Sequence, residues 1–189
     1  SVWVRGEEAI NIVSGVNRVV VKGDGVWHPV LPSTLIHGFS VTKGIVAALL
    51  LVLVDDEVLS YDELVSAIWP EMHDSRIGAL TVAELVSHRG GLYIGAKFAL
   101  RWADRLGMFG WSKLDAGAAW RLGEAHTESV SPKWIPGEES HYTPVCWSWV
   151  IGGVIRRALQ RHQGKKHADG GALLRDMIKT RLAVPLGFA

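Results

Sequence analysis

The sequence predicts an α+β fold: a block of strands over residues 1–38, followed by a mainly helical region over 39–189. Three observations carry this. Short valine- and isoleucine-rich runs separated by glycine-containing turns fill the first part. An unbroken apolar run, Ile45 to Val54, and two capping signatures then mark helices. Strands first and helices later is the order of a helical layer packed on a sheet.

The elements follow in order. Val2 to Arg5 and Ala9 to Val13 are expected strands on either side of a Gly6-Glu7-Glu8 turn. Arg18 to Lys22 is a third, with Gly23-Asp24-Gly25 as a tight hairpin turn after it. Three strands make a thin sheet, so further strands are expected outside this chain. A fully buried helix begins at Ser40 and ends near Asp55-Asp56. Ser60-Tyr61-Asp62-Glu63 is a capping-box pattern for a short helix stopping before Pro70. Thr81-Val82-Ala83-Glu84 repeats it for a helix through Val86, stopped by Gly90-Gly91. Ala96 to Leu106 and Ser112 to Leu122 are expected helices, and proline-rich Ser129 to Glu139 a loop. Val145 to Gln160 reads as a strongly apolar helix, separated by Gly170-Gly171 from an amphipathic helix, Ala172 to Leu182.

Composition narrows the function classes. With 189 residues, 48% hydrophobic and 21% charged, the chain can bury a real core. A net charge of +1 without a basic stripe argues against nucleic acid and anionic membrane surfaces as partners. Ile45 to Val54 is too short to span a bilayer, so no membrane-spanning segment is expected. Ser1-Val2-Trp3-Val4-Arg5-Gly6 reads as a strand rather than a signal peptide, which favours a cytoplasmic or organellar setting. The single cysteine, Cys146, reads as a small buried hydrophobe. Nine scattered tryptophans suggest packing rather than one aromatic platform.

The chemistry concentrates in Ser40-Val41-Thr42-Lys43, the one S-x-x-K of the chain. Residues three apart share a helix face, so an unprotonated lysine there can take the serine proton and activate a weak nucleophile. Ser40 in a first helical turn would also find unpaired backbone N–H groups able to stabilise negative charge. The plainer alternative makes Ser40 a helix N-cap and Lys43 a solvated side chain.

The ordered segments resemble a known superfamily. His37-Gly38-Phe39-Ser40-Val41-Thr42-Lys43-Gly44 resembles the F-S-x-T-K segment of the serine β-lactamases and penicillin-binding proteins, most of all their class C-like and esterase branch. Asp55 to Asp62 is similar to "d-G-x-L-x-L-D-D", with Glu57 where glycine is usual. Leu80 to Leu92 is similar to "iTvrhLLsHtsGL". Trp134-Ile135-Pro136-Gly137 with Tyr142 resembles "w-x-P-G-x-x-x-x-Y-S-N", and Ala183 to Gly187 resembles "i-x-x-P-L-G-M". Nearly the whole chain is covered, in order.

The resemblance implies a single partial β-lactamase/transpeptidase-like domain over 1–189, with the C-terminal strands of its sheet missing. It also implies three catalytic residues: Ser40 as acylated nucleophile, Lys43 as its proton partner, and Tyr142 as the phenol shared by serine and leaving group. One oxyanion donor would be the Ser40 N–H. Two departures stand out. Where lactamases have asparagine two residues after the tyrosine, this chain has Pro144, closer to the esterase-type "Y-H-x-x-T-Y-G-W". The third motif, Lys- or His-x-Gly, has no counterpart after Leu186, so a fragment or shortened reading frame is expected.

The implied activity is acyl transfer on a small ester or amide substrate, carboxylesterase-like, with lactamase or D-Ala-D-Ala peptidase chemistry as the alternative. A non-catalytic scaffold is the reading from a different class. No cofactor or metal is implied: the eight histidines form no ligand-spaced cluster. His88 is expected to bond within the loop before Gly90-Gly91. His37 and His141 either line the site or sit at a solvated edge. G-x-S-x-G fails at Thr42, and no P-loop or G-x-G-x-x-G occurs. Oligomeric state is not encoded in any feature of the sequence.

Overall fold

Two antiparallel hairpins occupy the first of the two units into which the chain divides, Ser1–Phe39 and Ser40–Ala189. The computed structural model describes residues 2–12, 14, 16–21, 24–34, 38–73, 75–93, 116–144, 146–167 and 170–188. In the first hairpin, β1 (Val2–Val4) pairs with β2 (Glu7–Ile10), Val4 opposite Glu7 and Trp3 opposite Glu8. The turn is therefore Arg5-Gly6, one step earlier than the sequence suggests. Both residues take positive φ, 53° and 84°, as a two-residue hairpin loop demands. Arginine rarely marks such a position, which hid the turn.

The second hairpin joins β3 (Val16–Val21) to β4 (Asp24–Pro29), with Val21 opposite Asp24 and Val20 opposite Gly25. Asp24 and Gly25 are thus strand residues rather than turn residues, and β4 is a strand the sequence did not announce. Its composition, Asp-Gly-Val-Trp-His-Pro, carries two strand-disfavouring residues at its start and proline at its end. Among the described residues the strands form two separate two-stranded sheets in place of one thin sheet.

The second unit is helical. α1 (Thr42–Asp55) buries Val46, Leu49, Leu50 and Leu53, spaced three and four apart. Its apolar run is not buried on all sides, as the sequence suggested: Ile45 is 44% and Leu51 58% exposed. A continuous apolar run conceals which face turns inward. The helix ends in a Schellman motif, Glu57 N–H to Val54 O at 3.0 Å and Val58 N–H to Leu53 O at 2.9 Å. Glu57 sits at the left-handed position with φ 57°, which explains why glycine is the usual occupant of this place in similar sequences.

α2 (Val65–Ile68) stops before Pro70 as anticipated, but without the expected capping box. Ser60 Oγ accepts from the Asp62 N–H at 3.2 Å instead, and the Glu63 carboxylate is claimed by the distant Arg161. α3 (Val82–Val86) has the full box: Glu84 N–H donates to Thr81 Oγ1 at 3.2 Å and Thr81 N–H to Glu84 Oε2 at 3.0 Å. The expected helix Ala96 to Leu106 lies outside the described residues, as does the start of Ser112 to Leu122. The remainder of the latter belongs to α4 (Ala116–Ser129).

α5 (Cys146–Gln163) is the central helix, burying Val150, Ile151, Val154, Ile155 and Ala158 among others. α6 (Gly170–Ile178) starts at the glycine pair that was expected to separate two helices, and a π-turn, Lys179–Ala183, follows it. Close packing explains these glycines. A Cβ on Gly170 would lie 2.1 Å from Trp120 Nε1, on Gly152 2.2 Å from Trp120 Cζ2, and on Gly153 2.5 Å from Trp69 Cζ3. Gly123 receives Trp149 in the same way, at 2.4 Å. Glycine notches thus seat three of the tryptophans in the core.

A buried ionic network locks α4 to α5. Glu124, 6% exposed, accepts from Arg156 Nε at 3.0 Å, Trp120 Nε1 at 2.8 Å and Arg157 Nη1 at 3.2 Å. Arg157 also donates to Glu128 at 3.0 Å and lies 3.8 Å over the Trp69 ring. No helix among the described residues is long and apolar enough to cross a membrane.

Candidate active site

Ser40 lies in a 3-10 turn, Phe39–Val41, that runs directly into α1. It therefore precedes the helix instead of occupying its first α-turn, and it is not the N-cap: Val41 holds that place, without a side-chain capping bond. Phe39 before it takes φ 43°, a backbone state that L side chains avoid. Lys43, three residues on, projects along the same face and donates from Nζ to Ser40 Oγ at 3.2 Å.

Tyr142 arrives from far along the sequence. It sits on the segment between α4 and α5, and its hydroxyl donates to Ser40 Oγ at 2.6 Å. Lys43 Nζ lies 5.2 Å from the centre of the tyrosine ring and donates to the Pro144 carbonyl at 3.0 Å. Pro144, which lacks the amide side chain of the lactamase pattern, thus anchors the lysine through its backbone. The three residues singled out from the sequence meet at one exposed point, with Tyr142 58% accessible.

The electrostatics favour ionisation of the phenol. Hydrogen bonds from Ser40 and from Lys43 hold Tyr142 below the ordinary tyrosine range, and the Lys43 charge adds to them against slight desolvation. With Tyr142 ionised, the serine hydroxyl becomes the donor of the 2.6 Å bond. That separation is short enough for direct proton transfer.

The tyrosine segment is strapped to the end of α3. Lys133 N–H donates to Gly91 O at 2.9 Å, Gly137 N–H to Arg89 O at 2.9 Å, and Ser140 Oγ to Ser87 O at 2.9 Å. Gly91, at φ 67°, is required here: a Cβ would come 2.6 Å from the Trp134 carbonyl. Trp147 Nε1 donates to Val86 O at 3.0 Å from the other side of the segment.

His88 corrects an expectation. Its ring does not serve its own loop; Nδ1 accepts the Thr143 N–H, next to Tyr142, at 3.1 Å. No local signal in the sequence reveals this, because the partner lies 55 residues away. His141 stacks on Trp134 with centroids 4.0 Å apart and pairs with Glu139 at 2.8 Å. His37 lies outside the described residues. Burial pushes the Cys146 thiol up to about 12, so it is a packing residue. Among the described residues no group of three or more His, Cys, Asp or Glu is placed to hold a metal.

With the fold and this geometry described, comparison places the chain in a family. It belongs to the beta-lactamase family, a family of serine hydrolases, which matches residues 5–189. It is similar to the structure of a penicillin-binding protein homolog from Caulobacter crescentus, at 28% identity and a TM-score of 0.55, over 79% of this chain and 34% of that one. It is also similar in fold to a family VIII carboxylesterase, at 24% identity and a TM-score of 0.61, over 86% of this chain and 41% of that one. The chain thus spans less than half the length of these structures. A comparison with curated proteins returned no match.

Proposed function

We propose that this chain carries the acylation site of a serine hydrolase that works through a covalent acyl-enzyme on ester or amide substrates, carboxylesterase-like in preference. The observation that supports it is the meeting of three groups: Tyr142 2.6 Å and Lys43 3.2 Å from Ser40 Oγ. Ionised Tyr142 takes the Ser40 proton as Oγ bonds to the substrate carbonyl carbon. The tetrahedral intermediate collapses, its bond to the alcohol or amine breaks, and the leaving group takes the proton back from Tyr142. Water, deprotonated by the same phenolate, then releases the acid and regenerates Ser40. Lys43 keeps the phenolate charged and in place.

Pro144 supports the esterase preference. A lactam or peptide substrate presents a side-chain amide, and this position offers no side-chain hydrogen bond to hold it. Family membership supports the second reading, lactam or D-alanyl peptide hydrolysis. A fluorophosphonate probe separates these from a non-catalytic scaffold. Labelling at Ser40, lost in Ser40→Ala, is the expected result; labelling that survives Ser40→Ala sinks the assignment. Turnover of a nitrophenyl ester without nitrocefin turnover supports the esterase preference, and the reverse defeats it.

A further inference from the structure

The two peptide N–H groups on either side of Tyr142 both end on one residue. His141 N–H donates to the His88 carbonyl at 3.2 Å, and Thr143 N–H donates to His88 Nδ1 at 3.1 Å. The imidazole also lies against the phenol, ring centroids 5.0 Å apart and tilted 55°, and 5.8 Å from the Trp147 ring. Carbonyl and ring can reach neighbouring amides of a separate segment together because His88 turns its backbone to φ 63°. That is a left-handed conformation in which glycine and asparagine are the comfortable residues. A histidine kept there, where its ring meets the tyrosine segment, has a task beyond ending α3.

We propose that His88 is the positioning residue for Tyr142, acting as a neutral imidazole whose Nδ1 lone pair accepts the Thr143 N–H while Nε2 carries the proton. The proposal rests on the hydrolase reading given above. Its logic is geometric: the phenol must stand at hydrogen-bonding distance from Ser40 Oγ, and two backbone bonds plus a ring contact set its height and tilt. Protonation of Nδ1 would remove the acceptor and aim one N–H at another. It would also place a second cation near Lys43.

The charged and titratable groups around the ring, among the described residues, come from three elements and the loop. Lys43 of α1 acts on it electrostatically and Tyr142 lies against it, whereas Trp147 of α5 is neutral. Glu84 and Arg89 of the α3 end pair with each other, as do Glu139 and His141 of the loop. Burial, and after it the Lys43 charge, hold the imidazole below its ordinary value of 6.5. The acceptor form therefore persists at neutral pH and is lost only on acidification.

Asparagine supplies the decisive variant. Its Oδ1 stands the same number of bonds from the backbone as Nδ1, accepts a hydrogen bond, tolerates positive φ and does not titrate. His88→Ala is expected to slow fluorophosphonate labelling of Ser40 by ~10²-fold through misplacement of the phenol. His88→Asn should restore most of that rate and hold it to lower pH than the wild type does. Imidazole nitrogen chemical shifts in the wild type should show Nδ1 unprotonated and Nε2 protonated. Equal loss in both variants, no loss in His88→Ala, or a proton on Nδ1 at neutral pH overturns the role of His88 while Ser40 labelling leaves the hydrolase reading intact. Absence of Ser40 labelling in the wild type overturns that reading, and this role with it.

Discussion

Tyr142 Oη and Ser40 Oγ stand 2.6 Å apart although 102 residues separate them in the chain. Nothing local to either residue produces this. It depends on the 3-10 turn that leads into α1 carrying the serine, on the α3 end holding the loop, and on α5 continuing from it. Removing the hydroxyl alone therefore tests the chemistry without touching the scaffold. Tyr142→Phe should leave thermal stability unchanged, since the side chain is 58% exposed. It should slow Ser40 acylation by ~10²–10⁴-fold, the span of general acid–base assistance. Unchanged labelling kinetics would remove Tyr142 from the mechanism.

The lowered Tyr142 pKa makes both of its partners testable by spectroscopy. The Ser40 hydrogen bond contributes most, then the hydrogen bond from Lys43. Each favours the phenolate, so deleting either should move the titration up toward the ordinary value of 10.0. Ultraviolet titration of phenolate absorbance in Ser40→Ala and Lys43→Met should show upward shifts for both. A downward shift in either variant contradicts the arrangement of donors.

The Glu124 network governs stability rather than chemistry. Burial drives its carboxyl up, but hydrogen bonds from Arg156 and Trp120 and the charges of Arg156 and Arg157 outweigh this, leaving the pKa below its ordinary value of 4.5. A depressed folded-state pKa stabilises the protein above the unfolded value and loses that contribution as pH falls through the folded one. Stability should thus hold at neutral pH and drain as acidity passes below about 4.5. Glu124→Gln should cost ~3 kcal/mol at neutral pH in a denaturant melt, because two arginines lose their buried counter-charge. It should also flatten the acid limb.

Glu57 offers a gain. It occupies the left-handed position of the Schellman motif at φ 57°, where a Cβ is strained and glycine is not. Glu57→Gly should raise stability by ~0.5–1 kcal/mol, relief of Cβ strain exceeding the added freedom of the unfolded chain. A destabilised variant would mean that the carboxylate has a role in holding the α1 end.

Gly153 offers the opposite. Gly153→Ala forces a Cβ to 2.5 Å from the Trp69 ring in the fully buried core. Displacing a packed indole in a crowded interior costs ~1–3 kcal/mol, read as a lower melting midpoint. A neutral result would show that Trp69 can shift without loss.

Much of the arrangement was legible in the sequence, for reasons that differ by element. The α3 capping box was readable because both its bonds are local, Thr81 to Glu84. The similar pattern at Ser60 opens no helix, because α2 starts only at Val65, and its glutamate pairs with the distant Arg161 instead. The Arg5-Gly6 turn and β4 were hidden by residues whose usual preferences point elsewhere, and Gly170 is a packing notch at the start of α6 rather than part of a break before it.

The sequence alone determined that a serine and a lysine stand three residues apart at the entry to an apolar helix, a spacing that any helical turn of backbone brings to one side without a partner. It also named the tyrosine, through the resemblance of its surrounding residues. Only the tertiary structure decided that the phenol meets that face, that the Pro144 carbonyl holds the lysine, and that His88 grips the amides beside Tyr142. Those contacts join segments far apart in the chain. Their geometry is fixed by how α1, α3 and α5 pack, which no stretch of residues encodes by itself.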